Sequence, residues 1–182
     1  MLWLTADHHF GHENIIKYTG RPFENVWNMN VALSTAWRDV VHKDDLVVHL
    51  GDVTMIKRPD AYVNTMFIIE KLPGKKILVK GNHDKQKMID WYRDHQWVVV
   101  DKILLHRTLF VHSPPLKISI DHPRVIHGHV HGRPTGISGY YDVGVDAREY
   151  KPIAFRNLLP MFTKTDELIE QELFDLYERT VK

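Results

Sequence analysis

Five apolar runs of strand length in this chain end in residues able to ligate metal ions, and they follow a fixed order. Leu2–Ala6 runs into Asp7-His8-His9, and Leu46–Leu50 into Gly51-Asp52. Ile77–Val79 leads to Gly81-Asn82-His83-Asp84, Leu109-Phe110-Val111 to His112, and Val125–His127 to Gly128-His129-Val130-His131. In open α/β sheets, ligands collect beyond the carboxyl ends of strands. A fold that satisfies all five runs brings those ends to one edge. It gathers there more Asp, Asn and His than one ion needs.

The texture between the runs sets the fold class. In the first half, helix-length segments separate the strands: Glu13–Tyr18, Asn28–Val41, Asp60–Leu72 and Lys85–His95. In Asn28–Val41, Met29, Leu33, Ala36, Trp37 and Val40 have the spacing of one helical face. Pro59 suits a first helical position, and Pro73-Gly74 suits a stop. From Val98 the runs are short and β-prone, at Val98–Val100, Ile103–His106, Thr108–Val111, Val125–His127 and Tyr140–Val145. Helix returns over Thr165–Arg179. The pattern predicts two sheets packed face to face with helices outside. No repeat, linker or low-complexity tract interrupts the 182 residues, so the chain reads as a single domain, 1–182.

The net charge of +1 argues against a stable partnership with duplex DNA, whose binders carry a basic surplus. Lys71, Lys75, Lys76, Lys80, Lys85 and Lys87 bracket the third motif. They read as a solvated face, with attraction of a phosphate substrate as the alternative. There is no cysteine, so any metal must be held by carboxylate, imidazole and amide oxygen. Such a donor set suits Mn, Fe, Zn or Ni, and Mg less readily. No apolar run approaches the roughly 18–20 residues of a membrane span. The first strand begins at Met1-Leu2 and leaves no room for a signal peptide, so a cytoplasmic location without a membrane partner is expected.

Asp7 and His9 are two apart. At the end of an extended segment both would point the same way, with His8 facing the other. His129 and His131 repeat that spacing. Asn82 and His112 add two donors, and Asp52 is the natural bridge because a carboxylate can serve two cations. Two divalent cations about 3.5–4 Å apart hold a shared hydroxide at neutral pH and bind phosphoryl oxygens. The chemistry expected is therefore phosphoester hydrolysis, with the hydroxide as nucleophile. His83 is expected above the metals, protonating the leaving oxygen or stabilising the transition state. His42, His95, His106 and His122 read as ordinary surface or sheet histidines, and His49 and His127 as core. His12 is a candidate for lining the pocket. Arg21, Lys57, Arg58 and Arg133 are candidates for substrate contact.

The order Asp-x-His, Gly-Asp, Gly-Asn-His-Asp, His, Gly-His-x-His resembles the calcineurin-like metallophosphoesterase superfamily, over a span from Asp7 to His131. Val143-Gly144-Val145-Asp146 is similar to the strand that follows the last motif in small bacterial and phage members. The resemblance implies a four-layer α/β/β/α sandwich of two mixed sheets. It implies one metal on Asp7, His9, Asp52 and His131, a second on Asp52, Asn82, His112 and His129, and His83 as proton donor. Met55 and Ile56 stand where the protein serine/threonine phosphatase branch has Asp and Arg, which argues against that branch. The expected substrate is a small phosphodiester or phosphomonoester of nucleotide type. The alternatives are a nuclease on short single-stranded ends and a binding scaffold of the same fold. Intact ligand positions and a retained His83 favour catalysis over the scaffold. The oligomeric state is left open.

Overall fold

The computed structural model describes residues 1–56 and 59–181, with residues 59 and 60 described for their backbone alone. Four strands alternate with helices: β1 (Leu2–Thr5), α1 (Glu13–Thr19), α2 (Val26–Val40), β2 (Leu46–His49), α3 (Pro59–Glu70), β3 (Lys75–Val79), α4 (Gln86–Asp94) and β4 (Trp97–Val100). A run of strands follows, β5 (Ile103–Leu105), β6 (Thr108–Val111), β7 (Arg124–His127) and β8 (Tyr140–Asp142). The chain ends with β9 (Ile153–Ala154), α5 (Phe155–Leu158) and α6 (Lys164–Thr180).

The strands form two mixed sheets, as expected. One has the order β4-β3-β2-β1-β9, with β9 antiparallel to β1 and the other neighbours parallel. The other has the order β5-β6-β7-β8, with β5 antiparallel to β6. Strand alternation allots the two faces of the first sheet. Leu2, Leu4, Leu46, Val48, Ile77 and Val79 join Phe110 and Ile126 of the second sheet in one buried cluster. Val47, Leu78 and Trp97 face the opposite way, onto Met29, Leu33, Trp37, Ile69 and Tyr92 of the helices. Burial on both faces is why these strands read as continuous apolar runs. α6 adds Ile169, Leu173 and Tyr177 to the cluster between the sheets.

Local chemistry sets the helix ends. Asn25 accepts the N–H of Asn28 at 2.9 Å, so α2 starts two residues earlier than its apolar stripe suggests. Thr163 and Asp166 close a reciprocal capping box on α6. One expectation fails at β8. The strand stops at Asp142, and Val145–Ala147 is a 3₁₀ turn, so Tyr140–Val145 is not one strand.

The two sheets share their carboxyl edge. Ala6, just past β1, pairs with Gly144, just past β8, and Val145 N–H donates to Ala6 O at 3.0 Å. Asp7 N–H donates to Gly51 O, and Gly128 N–H to His112 O. All five motifs therefore meet at one seam. Among the described residues, no helix is long and apolar enough to cross a membrane.

Candidate metal centre

The turns at the seam depart from the extended geometry expected of them. Asp7, His9, Asp52, His129 and His131 all sit in the left-handed region, at φ of 60°, 51°, 57°, 72° and 52°. Each such residue costs about 1–2 kcal/mol. Strain of this kind concentrates where surrounding structure holds it for function. The i and i+2 side chains thus converge through alternating left-handed residues, not through a continuing strand. His8 does face away. Its Nδ1 lies 2.9 Å from Nε2 of His49 in the core, against Phe10 and Trp37.

Space at the seam is reserved for the carboxylates. A Cβ on Gly81 would lie 2.2 Å from Oδ1 of Asp52, and one on Gly128 would lie 2.6 Å from Oδ2 of Asp7. The Asp84 carboxylate accepts the N–H groups of Asp52, Val53 and Gly81, and so fixes the turn that carries Asp52. Asp52 Oδ1 in turn accepts the N–H of His83 at 2.8 Å. That backbone bond places His83; the Asp84 side chain is spent on the Asp52 turn.

Two sets of donors face each other. Ligand atoms of Asp7, His9 and His131 lie within 4.8 Å of one another, as do those of Asp7, Asp52 and His112. His112 lies close to Leu50 O through Nδ1, at 2.7 Å, so Nδ1 carries the ring hydrogen. Its Nε2 then lies 2.9 Å from Asn82 Oδ1, 3.1 Å from His129 Nδ1 and 3.4 Å from Asp52 Oδ2. Asp52 Oδ2 is also 3.5 Å from His9 Nε2. It is therefore the atom the two sets share. Asp7 approaches His112 on the Nδ1 side, at 3.9 Å, where the ring is already committed to Leu50.

These atoms call for positive charge. Asn82 Oδ1 and Asp52 Oδ2 carry no hydrogen, yet both face a ring nitrogen whose partner atom holds the proton. Without a metal, protonation supplies the charge. Burial opposes it, but the hydrogen bond and charge of Asp52 outweigh burial and hold His112 up to about 9. Burial pushes the Asp7 carboxyl up to about 7, against the pull of His112 and His131. It drives His9 down to about 2. Asp7 Oδ1 and both His9 nitrogens are buried with no hydrogen-bond partner among the described residues. Leaving such atoms unpaired costs about 1–3 kcal/mol each. Hard or borderline divalent cations fit this donor set.

Asp146 was missed as a site residue by the sequence reading, which placed it in a strand. Its Oδ2 accepts from His131 Nδ1 at 2.8 Å, which turns Nε2 of that ring toward the centre. Arg21 clamps the same carboxylate through Nε and Nη2, both at 2.8 Å, and donates to the carbonyls of Asp7 and His8. Burial works against ionisation of Asp146, yet His131 and Arg21 hold it at about 2. Arg21 is buried and fully engaged, which corrects its expected role from substrate contact to positioning of the turn.

Arg133 makes no ion pair among the described residues and lines the open cleft of about 420 Å³ with Asp52, His83, His129 and His131. His83 packs edge-on to His9, with ring centroids 5.5 Å apart. The His12 ring lies 5.7 Å from that of His9. Arg58 and Lys57 lie outside the described residues. The six lysines around the third motif are engaged locally: Lys75 with Glu178, Lys80 with Asp101, Lys71 with Glu70, Lys85 with Asn82 O, Lys76 over Trp97 and Lys87 over Tyr62. Each is held by a neighbour on its own side of the fold, Lys75 by α6 and Lys76 on the helix-covered side over Trp97.

No family model matches the chain. It is 29% identical over 171 residues to an uncharacterized protein of Methanocaldococcus jannaschii, covering 90% of this chain and 92% of that one. A protein of unknown function from Aquifex aeolicus superposes with a TM-score of 0.67 at 28% identity, covering 86% of this chain and 96% of that one. Pseudomonas putida nuclease MPE superposes with a TM-score of 0.50 at 22% identity, covering 71% of this chain and 61% of that one. At that identity the likeness is one of fold.

The buried His8–His49 pair makes stability depend on pH. Burial lowers His49 to about 3 and His8 well below its ordinary range. Both stay neutral in the fold and bind protons on unfolding below pH 6.5. Their contribution is complete above pH 6.5 and is lost as pH falls toward 3, by up to about 1.4 kcal/mol per pH unit for each ring. Urea unfolding in chelator from pH 7.5 to 4 should show that acid limb. His49→Phe should flatten it while lowering stability at neutral pH, and an unchanged slope would contradict the assignment.

Proposed function

We propose that the chain is a metallophosphoesterase of the calcineurin-like superfamily, folded as one domain, which hydrolyses small phosphodiesters or phosphomonoesters of nucleotide type on a dinuclear centre. The observation that carries this reading is Asp52 Oδ2, held 3.4–3.5 Å from His112 on one side and His9 on the other. Asp7, His9, Asp52 and His131 would hold one divalent cation, and Asp52, Asn82, His112 and His129 the other. Cations there would lower the pKa of a coordinated water to about 7 and offset charge on phosphoryl oxygens.

The chain's own groups do the rest. His83, on the cleft wall, donates a proton to the leaving oxygen. Arg133 grips a non-bridging oxygen at the mouth of the cleft. Asp146 holds His131 in the tautomer that offers Nε2, and Arg21 holds Asp146. Asp146→Asn should therefore weaken divalent-cation binding by roughly 10–100-fold, the usual effect of losing such a partner. Isothermal titration with Mn²⁺ checks this, and unchanged affinity would remove Asp146 from the ligand-orienting role.

The fold likeness to a nuclease favours a second reading, cleavage of short single-stranded ends. A metal-reconstituted screen separates the two. It sets bis(p-nitrophenyl) phosphate, p-nitrophenyl phosphate and linear and cyclic nucleotides against a single-stranded oligonucleotide. Turnover of the small esters supports the first reading, and turnover of the oligonucleotide alone the second. No turnover with any metal rejects both.

A further inference from the structure

A cavity of about 470 Å³ opens between α1, α2 and α3, beside the metal centre. His12 lines it and also lines a second cleft with His9, His83, His131 and Arg133, which adjoins the open cleft of Asp52 through His83, His131 and Arg133, so the cavity and that second cleft share a wall. We propose that this cavity is a subsite for the nucleobase of a nucleotidyl phosphoester, which narrows the substrate class of the phosphoesterase reading and rests on it.

The lining carries the inference. Trp27 is at the cavity and 52% exposed, the one exposed tryptophan of the five, and among the described residues it stacks on no other ring. A large aromatic left open to solvent at the mouth of a cavity is a platform for a planar ring. Asn14 and Asn64, both exposed, line the cavity and make no side-chain hydrogen bond among the described residues. Asn30, at the floor, is spent differently: it accepts from Gly11 N–H at 3.1 Å and donates to Thr65 at 3.4 Å. Two free amides beside an open indole offer the donors and acceptors that a base edge requires.

Charge then fixes which part of the substrate goes where. Among the described residues no lysine or arginine lines the cavity, while Glu13 does. The described lining gives an anionic phosphate no cationic partner, so the phosphate is assigned to the cleft with Arg133. The cavity, across the His12 wall from the phosphate, is assigned the neutral base. Its volume is within the range of small-molecule sites.

The test compares two esters with the same leaving group, a nucleoside 5′-(p-nitrophenyl) phosphate and its abasic sugar analogue. Trp27→Ala should lower the ratio of their kcat/KM values by roughly 5- to 100-fold, the usual range for losing one base stack. Asn64→Ala should lower it less and change the preference among bases. A ratio unchanged in Trp27→Ala overturns the subsite, as does an equal loss on both esters, which would assign the cavity to the leaving group. If neither ester is hydrolysed, the phosphoesterase reading falls by itself. The subsite is then decided by calorimetric titration with a nucleoside 5′-monophosphate. Binding weakened by a similar factor in Trp27→Ala sustains it, and equal or absent binding overturns it.

Discussion

Asp52→Ala is expected to abolish hydrolysis and to leave the protein with at most one tightly held cation. Its Oδ2 is the atom both donor sets approach, and its Oδ1 holds the His83 N–H. Removing the carboxylate takes out the bridge, frees the loop carrying His83 and leaves His112 and His9 facing each other without intervening negative charge. The turn itself should survive, because Asp84 binds the backbone N–H groups of residues 52 and 53 whatever side chain residue 52 carries. Circular dichroism with elemental analysis checks the two halves separately. A folded Asp52→Ala protein that keeps both cations and its rate would remove Asp52 from the bridging position.

The second large effect is at His83. His83→Ala should keep its cations, because its ring stands at the cleft wall, and should lose roughly 10²–10⁴-fold in rate as expected for a general acid. The loss should shrink for p-nitrophenyl esters, whose leaving oxygen needs little protonation, and grow for alkyl or nucleoside leaving groups. Comparing kcat across such a series in wild type and variant measures this directly. An equal loss across the series would assign His83 to binding of phosphate charge.

Much of the fold was legible because it follows alternation. Leu2/Leu4 against Trp3, and Val48 against Val47, allot each strand face to the sheet interface or to the helices. The convergence of five strand ends followed from that order. What could not be read locally are the turns and their long-range supports. Asp and His are among the non-glycine residues that enter the left-handed region most readily, but Asp7-His8-His9 does not show which of the three do so, because contacts across the seam select Asp7 and His9. Arg21 looked like a loop cation, yet its partner Asp146 is 125 positions away. β9 and α5 span two and four residues, too short for any periodicity. Asp84 closes the third motif, but its reach back to the Asp52 turn depends on β2 and β3 being neighbours.

The central claim, a dinuclear centre shared through Asp52, is tested most directly by counting ions. Protein stripped with chelator, reconstituted with Mn²⁺ or Zn²⁺ and freed of excess should be measured by elemental analysis against amino-acid concentration. Two ions per chain are expected, falling to one or none in Asp52→Ala. One ion per wild-type chain at saturation, or no retained metal at all, would contradict it.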